Sequence, residues 1–312
     1  MKNRRLPTYI SPEAQAYYAE AVPVSHNVDV TDPKAVAAFR NETHAHWAST
    51  LEAIDYPFYL QEEYVSGVRC VRITTERTLK TDRLIVLLHG GAYVLGTPEA
   101  NASSAIALAE ATGLPVLSVD YRLAPEHPFP AGLNDAITAF KALAREKYNA
   151  KNMILLGESA GAGLALSLCL TLRDDGHPLP GGLVLISPWA DLEQHGDSLT
   201  TLIDADLDFA NPEALYDCAT AYAPLASLSD PLISPVNASL HHLPPMLIHV
   251  GAREMLLSDS LRLASNAREA NTPVELDVWD GMGHLFHAFP NLPEAGKAYR
   301  RIDRFIKERL CQ

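Results

Sequence analysis

Cysteine is scarce in this sequence, which contains only four in 312 residues. The four are scattered, without the paired spacing of a zinc site or the density of a disulfide framework. They are Cys70, Cys169, Cys218 and Cys311. We therefore expect reduced thiols in a cytoplasmic protein.

Basic residues are also in the minority, since 25 Lys and Arg stand against 38 Asp and Glu and the formal net charge is -13. Nucleic acids and anionic membranes attract basic surfaces, so this charge argues against both as partners. The N-terminal segment 1–7 is basic, but no apolar segment of the kind found in secretory signals follows it. We expect a small or neutral molecule as the binding target.

Uninterrupted apolar runs of membrane-spanning length are lacking as well. The best candidate, residues 153–172, is broken near its start by Glu158, Ser159 and three glycines. These polar and small residues argue against a membrane span. A core strand over residues 153–156 that leads into a buried helix over residues 160–173 explains the stretch better.

A sharp turn joins that strand to that helix, with the sequence Gly157-Glu158-Ser159-Ala160-Gly161. It fits the Gly-x-Ser-x-Gly pattern of a nucleophile elbow, in which flanking glycines allow a strained backbone that lifts the serine hydroxyl clear of the sheet. The pattern alone also fits an ordinary tight turn, but the strand before it and the helix after it are the context that an elbow requires. Ser159 is therefore the candidate nucleophile.

The pattern from about residue 56 onwards is one of strands that alternate with helices. Continuous apolar strands joined by helical crossovers are typical of an α/β fold with a mostly parallel sheet and helices on both faces. In such sheets, functional sites collect at the carboxyl ends of the strands. The predicted strands span residues 64–73, 84–88, 116–119, 153–156, 183–186, 246–250 and 274–279, with one more near Phe58. The predicted helices include 98–112, capped by Thr97, and 133–145.

The N-terminal region is predicted to form two amphipathic helices. Ser11-Pro12 and Asp32-Pro33 each place a capping side chain before a proline at the first helical position. The sequence allows two roles for these helices: ordinary packing against the core, or a lid over a site.

One insertion is predicted, over residues 192–229, with a helix that starts at Asn211-Pro212. Its acidic residues Asp204, Asp206 and Asp208 lack the glycine and the distal glutamate of a calcium loop. We expect a solvated turn there.

A loop of small residues, His89-Gly90-Gly91-Ala92, follows the strand over residues 84–88. Such a loop can turn backbone N–H groups towards a substrate oxygen, and glycines permit close approach. Acyl transfer needs these donors because the attacked carbonyl oxygen becomes an oxyanion, and the residue after the nucleophile supplies another N–H. We expect an oxyanion hole formed by Gly90, Gly91 and Ala160, with Ala92 as the alternative to Gly90. His89 is expected to anchor the loop.

Five motifs occur in one order between residues 89 and 289. They are His89-Gly90-Gly91-Ala92, the stretch from Asp120-Tyr121-Arg122 to Phe129-Pro130-Ala131, Gly157-Glu158-Ser159-Ala160-Gly161, Ser187-Pro188-Trp189-Ala190-Asp191-Leu192 and Gly281-Met282-Gly283-His284-Leu285-Phe286. Together they resemble the hormone-sensitive-lipase-like family of bacterial α/β-hydrolase carboxylesterases. The resemblance implies an eight-stranded α/β-hydrolase core and serine-dependent hydrolysis of carboxylic esters. It also implies N-terminal cap helices over residues 1–55, a catalytic core over residues 56–312 and a second cap segment inserted at about residues 192–229.

Three residues depart from the pattern of that family. Ala92 replaces the usual last glycine of the oxyanion motif, Glu158 stands where aspartate is common, and Leu285 follows the histidine where glycine is usual. We expect mild effects from the first two. Leu285 is expected to reshape the acyl pocket.

A serine hydroxyl needs a general base, and the base needs an acid that fixes its tautomer. The chain order in this architecture is serine, acid, histidine. His284 follows the strand over residues 274–279 in a Gly-Met-Gly-His turn and matches the family's base. His287 is the rival, inside a helix-like run.

Two acids follow the strand over residues 246–250. Glu254 occupies the position where the family usually has aspartate, and glutamate can fill the role. Asp259 is the alternative, although it is expected to cap a helix over residues 260–270. The predicted catalytic residues are thus Ser159, Glu254 and His284.

These residues predict a serine carboxylesterase that forms a covalent acyl-enzyme on short- to medium-chain esters and needs no cofactor. A lactone or amide hydrolase would use the same residues, and a ligand-binding homologue without catalysis is a further alternative. A metal-dependent hydrolase is disfavoured because His241 and His242 are adjacent instead of four residues apart on a helix. Whether the protein forms a homodimer is left open by the sequence.

Overall fold

The structure is a computed structural model that describes residues 6–20, 28–207 and 211–310. Asp208 and Cys311, named above, lie outside these residues. The strands are β1 Phe58–Val65, β2 Val68–Thr75, β3 Leu84–Leu88, β4 Val116–Val119, β5 Met153–Glu158, β6 Gly182–Ile186, β7 Met246–Gly251 and β8 Val274–Trp279. They form one sheet in the order β1-β2-β4-β3-β5-β6-β7-β8.

Pairing in the sheet is antiparallel from β1 to β2 and from β2 to β4, and parallel between all the other neighbours. The predicted α/β fold is therefore confirmed. The helices are α1 Pro12–Glu20, α2 Pro33–Ser49, α3 Ala102–Thr112, α4 Ala131–Glu146, α5 Ala160–Asp174, α6 Ser198–Thr201, α7 Pro212–Tyr222, α8 Leu257–Glu269 and α9 Pro293–Leu310. Short 3-10 helices cover Thr50–Ala53, Ala150–Asn152, Pro235–Asn237 and Phe286–Ala288.

The central strands β3, β5, β6 and β7 are buried along their whole length. Alternate residues of β3 point to opposite faces, so that Val86 lies in a core with α4, α5 and α8 and Ile85 in a core with α3 and α9. This two-sided burial explains why the strands are continuous apolar runs instead of alternating ones. None of the described helices combines the length and the apolar character needed to cross a membrane.

Three predicted element boundaries are wrong. The strand expected over residues 64–73 is a hairpin, because Ser66 and Gly67 both take positive φ, 49° and 85°, and reverse the chain between β1 and β2. The helix expected from residue 98 begins at Ala102, and the Thr97 hydroxyl accepts from the N–H of Ala100 in a preceding turn. The third wrong boundary is the start of α8, which begins at Leu257 instead of residue 260.

The predicted helix starts at Pro12, Pro33 and Pro212 are confirmed, and each has a capping side chain. Ser11 Oγ accepts from Ala14 N, Asp32 Oδ1 from Lys34 N and Asn211 Oδ1 from Glu213 N.

The solvated turn expected around Asp204 and Asp206 is wrong for Asp206. This side chain is fully buried and accepts a 2.7 Å hydrogen bond from Met255 N. It thereby joins the segment after β6 to the connection between β7 and α8. The described cysteines, Cys70, Cys169 and Cys218, are free and buried.

Candidate active site

The turn between β5 and α5 holds Ser159 in a left-handed backbone conformation, with φ 53° and ψ -120°. A non-glycine residue pays about 1–3 kcal/mol for such a backbone, so the surroundings must enforce it. They do so by close packing: a Cβ on Gly157 would lie 2.2 Å from Gly161 O, and one on Gly161 would lie 2.1 Å from Leu88 O. The flanking glycines are therefore required by contact between the elbow, β3 and α5.

Ser159 lies beside His284, which follows β8, and His284 lies beside Glu254, which follows β7. Ser159 Oγ is 3.1 Å from His284 Nε2, and His284 Nδ1 is 2.7 Å from Glu254 Oε2. A carboxylate can only accept, so Nδ1–H donates to Glu254 and the bare Nε2 accepts from the serine hydroxyl. The three residues are buried, with exposed fractions of 4%, 5% and 0%.

The second carboxylate oxygen of Glu254 is held by two donors. Oε1 accepts from Gly251 N and, at 2.9 Å, from the hydroxyl of Ser187. Ser187 Oγ in turn accepts from Leu285 N at 3.3 Å, so it bridges the acid and the histidine turn. Ser187 begins one of the five sequence motifs, but no role for it was predicted. Its place directly after β6 was the available signal.

The rival histidine and the rival acid face other partners. His287 Nε2 lies 3.1 Å from His249 Nδ1, and burial lowers the pKa of His287 well below its usual value. Asp259 Oδ2 accepts from the N–H groups of Ala190 and Asp191 at 2.8 and 2.9 Å, and burial raises its pKa to about 7. Asp259 lies inside the first turn of α8, so the expected capping role is wrong.

The loop after β3 comes within van der Waals distance of the nucleophile. A Cβ on Gly90 would lie 3.3 Å from Ser159 Cβ, so a side chain there would crowd the elbow. Gly91 has φ 128°, and a Cβ on it would lie 2.2 Å from Leu95 O. Among the described residues, no protein group accepts from the N–H of Gly90, Gly91 or Ala160. These three N–H groups therefore have no acceptor within the described part of the protein.

His89 is buried under this loop and holds its backbone. Its Nδ1 lies 2.8 Å from Gly90 O, and its ring stacks on Tyr121 with centroids 4.3 Å apart. The Tyr121 hydroxyl donates to His89 O at 2.7 Å. Burial lowers the pKa of His89 to about 4, so the ring is neutral at pH 7 and donates its Nδ1–H to Gly90 O. These contacts agree with the predicted anchoring role.

Another ionisable residue, Glu158, directly precedes the nucleophile and is also buried. Burial raises its pKa to about 7, against the opposing effects of a hydrogen bond with Ser104 and of His284. The carboxyl group therefore takes up a proton at a higher pH than an exposed glutamate does.

One cluster of metal-ligating side chains occurs among the described residues. Asp191, Glu193 and His195 offer ligand atoms within 4.8 Å of one another. Asp191 is buried and already paired with the Arg262 guanidinium, whereas Glu193 and His195 are partly or fully exposed. Exposed acidic groups are common without an ion.

Comparison with known proteins identifies the family of this chain. A sequence family described as alpha/beta hydrolase fold matches residues 85–288. The chain is 40% identical to an acetyl-hydrolase of Streptomyces hygroscopicus over 228 residues, which are 72% of this chain and 75% of that protein. It is 35% identical to an esterase of Acinetobacter venetianus, over 77% of this chain and 79% of the relative.

Solved structures give the same result over nearly the whole chain. A crystal structure of an esterase from the bacterial hormone-sensitive lipase family superposes with a TM-score of 0.85 at 32% identity, and the match covers 96% of this chain and 99% of that one. The crystal structure of the protein EstE5 soaked with p-nitrophenyl butyrate gives 0.86 at 32% identity, over 97% and 100%. The chain therefore belongs to the α/β-hydrolase family, and within it to the carboxylesterases of the bacterial hormone-sensitive-lipase type.

Proposed function

We propose that this carboxylesterase works through Ser159 as nucleophile, His284 as general base and Glu254 as the acid that orients the base. The observation that carries the proposal is the unbroken contact from Ser159 Oγ through both nitrogens of His284 to Glu254 Oε2, at 3.1 and 2.7 Å. Both distances lie within reach for proton transfer and for fixing the tautomer.

In the first half of the reaction, Ser159 Oγ attacks the ester carbonyl carbon and its proton passes to His284 Nε2. The carbonyl oxygen becomes an oxyanion and accepts from the N–H groups of Gly90, Gly91 and Ala160, for which the described residues offer no other acceptor. The bond to the leaving alcohol breaks as His284 returns the proton to the alcohol oxygen. An acyl group remains on Ser159.

In the second half, water attacks the acyl carbon and gives a proton to His284 Nε2. The same N–H groups hold the new oxyanion. The bond from the acyl carbon to Ser159 Oγ then breaks, the serine recovers its proton from His284 and the carboxylic acid leaves. Through both halves Glu254 faces the imidazolium that forms transiently, which is the role of the acid in such triads.

The preferred substrates are esters of short to medium acyl chains. Leu285 supports this, because its Cδ1 lies 3.5 Å from the position that a Cβ on Gly90 would take and so narrows the space above the elbow. The names of similar proteins point the same way, since one is an acetyl-hydrolase and another was soaked with a butyrate ester.

A cap formed by residues 1–55 and 192–229 on a core of residues 56–312 is part of the proposal. Both segments touch the turns that carry the site. Tyr18 of α1 accepts from Gly283 N at 2.7 Å, next to the base. Tyr222 of α7 stacks on Tyr93 of the loop after β3, with ring centroids 3.8 Å apart.

The test replaces the nucleophile. Ser159→Ala should lower kcat for p-nitrophenyl acetate by at least about 10⁴-fold, because no other group can form the acyl-enzyme. Labelling with a radioactive organophosphate should reach one equivalent on the unaltered protein and none on Ser159→Ala. Turnover retained by the variant would remove Ser159 from the mechanism.

A substrate panel completes the test. The unaltered protein, assayed with p-nitrophenyl esters of rising chain length, a lactone and an aryl amide, should prefer the acetate and butyrate esters. A preference for long-chain esters, or for the lactone or amide, would contradict the proposed substrate class while leaving Ser159 in place.

A further inference from the structure

Helix α2 makes three direct hydrogen bonds to the backbone around the loop that follows β3. Arg40 Nε donates to Val94 O at 2.7 Å, and Arg40 Nη2 donates to Ala124 O at 2.7 Å. One turn further along α2, His44 Nε2 accepts from Gly96 N at 3.0 Å. Because residues four apart lie on one face of a helix, a single face of α2 binds the loop after β3 at Val94 and Gly96 and the segment after β4 at Ala124.

The Arg40 guanidinium is fixed in place by an acid at its other edge. Nη1 and Nη2 bind the two carboxylate oxygens of Glu126, both at 2.8 Å, and Arg40 lowers the pKa of Glu126. The planar fork thus engages two carbonyls and a carboxylate at once. A lysine could not reproduce this arrangement, because its ammonium group is a single point charge.

The loop that receives these bonds has a backbone that needs outside support. Gly91, Ala92 and Tyr93 are consecutive residues with positive φ, at 128°, 51° and 63°. Ala92 and Tyr93 carry side chains, so the left-handed backbone is unfavourable for both. Ala124 braces this part of the loop, since its N–H donates to Tyr93 O at 2.9 Å while its C=O accepts from Arg40.

A second line of contact runs from His44 to the candidate oxyanion donors. Gly96 packs so tightly on His89 that a Cβ there would lie 2.4 Å from His89 Nδ1, and this nitrogen lies 2.8 Å from Gly90 O. The carbonyl of Gly90 belongs to the same peptide unit as the N–H of Gly91. The position of α2 is therefore transmitted through two residues to the group that would bind the oxyanion.

We infer that Arg40 and His44 are positioning residues that hold the N–H groups of Gly90 and Gly91 in the geometry of the transition state. This inference rests on the proposed function, because it takes Gly90 and Gly91 as oxyanion donors. Donors of this kind act only if they are held in place before charge develops on the oxygen. On this account the N-terminal region contributes to the chemical step itself.

The experiment compares Arg40→Met with Arg40→Lys and with a matched control, Arg122→Met. Methionine keeps most of the aliphatic stem and removes every donor. Arg122 forms the same type of two-point contact, with Asp135 at 2.8 to 3.1 Å, and its guanidinium also reaches Ala131 O at 3.4 Å, but it bonds to no described residue of the loop after β3. Arg40→Met should lower kcat for p-nitrophenyl acetate by about 10- to 100-fold and change KM by less than about threefold, because the loss is confined to the transition state.

A transition-state analogue separates positioning from general destabilisation. The affinity for a trifluoromethyl ketone, which forms a serine-bound oxyanion, should fall in Arg40→Met by the same factor as kcat/KM, and Arg122→Met should match the unaltered protein. Arg40→Lys should stay impaired although its charge is kept. At His44, the Phe variant should lose kcat and the Gln variant, which keeps an acceptor, should recover most of it.

Three outcomes would overturn the inference. They are a kcat of Arg40→Met within twofold of the unaltered protein, an equal loss in Arg122→Met, and an unchanged affinity for the ketone. Near-ultraviolet circular dichroism checks that each variant is folded, and Arg40→Lys serves if Arg40→Met is not. Labelling of the unaltered protein with organophosphate separates the two proposals. If Ser159 takes up one equivalent, any of the three outcomes contradicts only the positioning role of Arg40 and His44. If Ser159 is not labelled, the proposed function itself is contradicted.

Discussion

Two pairs of a carboxylate and a histidine lie near the carboxyl ends of β7 and β8, and they end on different partners. In the first, Glu254 faces Nδ1 of His284, whose Nε2 faces the Ser159 hydroxyl. In the second, Asp277 lies 3.2 Å from Nε2 of His249, whose Nδ1 contacts the ring of His287. The imidazole rings of both groups are buried.

The difference between them lies at the far nitrogen of the imidazole. A carboxylate lies beside the ring in both cases, but of the two histidines only His284 has a described nucleophile within reach of its second nitrogen. His249 Nδ1 instead contacts a second imidazole, and burial lowers the pKa of both His249 and His287. The group of Asp277, His249 and His287 therefore links β7, β8 and the 3-10 helix Phe286–Ala288, and it ends on an imidazole instead of a nucleophile. A paired carboxylate and histidine is not by itself a catalytic device.

The largest expected effect separates the two histidines of one turn. His284→Ala should lower kcat by about 10⁴-fold or more, because the serine loses its base. His287→Leu should leave kcat within about fivefold and lower the free energy of unfolding by about 1–3 kcal/mol, because His249 Nδ1 loses its partner. The measurements are ester hydrolysis and urea unfolding of each variant. The comparison would fail if His287→Leu, while folded, were as inactive as His284→Ala.

A somewhat smaller effect separates the two acids after β7. Glu254→Gln should lower kcat by about 10³- to 10⁴-fold. The geometry can stay intact, but the amide N–H₂ can donate to Nδ1 of His284 and so stabilise the wrong tautomer of the ring. Asp259→Asn should stay within about tenfold, because one side-chain oxygen can still accept from Ala190 and Asp191. Matched amide substitutions keep the volume of both sites. If the Asp259 variant lost more activity than the Glu254 variant, the acid would have to be reassigned.

The smallest expected effect is in the pH dependence of stability. Burial lowers the pKa of His249 and His287 in the folded state, so the unfolded state binds more protons as the pH falls below about 6.5. These residues therefore contribute stability that is present above that pH and is lost below it. Replacing His287 by Leu should make the loss of unfolding free energy between pH 7 and pH 5 shallower, by up to about 1 kcal/mol per pH unit.

The difference between variant and unaltered protein is the quantity to measure, because two buried acids act in the opposite sense. Burial raises the pKa of Glu158 and Asp259 to about 7, so both favour the folded state at acid pH and lose that contribution as the pH rises to 7. Urea unfolding at several pH values isolates the histidine contribution. An identical slope in the two proteins would show that His287 is not kept neutral by the fold.

The fold and its family were predictable because their signals are local. Continuous apolar strands, the elbow around Ser159 and the small-residue loop after β3 each depend on a few neighbouring residues. The hairpin at Ser66 and Gly67 was missed because the apolar pattern on its two sides is nearly continuous, although Ser-Gly is itself a turn signal. Helix starts at Ala102 and Leu257 were missed because neither helix has a side-chain cap at its first turn.

Some residues around the site were beyond sequence reasoning. The hydroxyl of Ser187 binds Glu254, the hydroxyl of Tyr18 binds Gly283 N, and the guanidinium of Arg40 binds two carbonyls, across separations of 67, 265 and up to 84 residues. For Tyr18 and Arg40, nothing nearby in the chain points to such partners, whereas Ser187 had one signal, its place directly after β6. Their roles exist only because the sheet and its covering helices bring distant segments together.

The sequence by itself determined the chemistry on offer: a serine on a strained strand-to-helix turn, a glycine loop after a neighbouring strand, and histidines and acids after the last two strands. The tertiary structure decided which of these meet. His284 and His287 lie close together after β8, and Glu254 and Asp259 both follow β7. The local sequence pattern therefore favours one residue of each pair but does not show which of them contacts Ser159 or its base. Their assignment depends on how the turns after β7 and β8 fold, which places His284 and Glu254 beside Ser159 and gives His287 and Asp259 other partners.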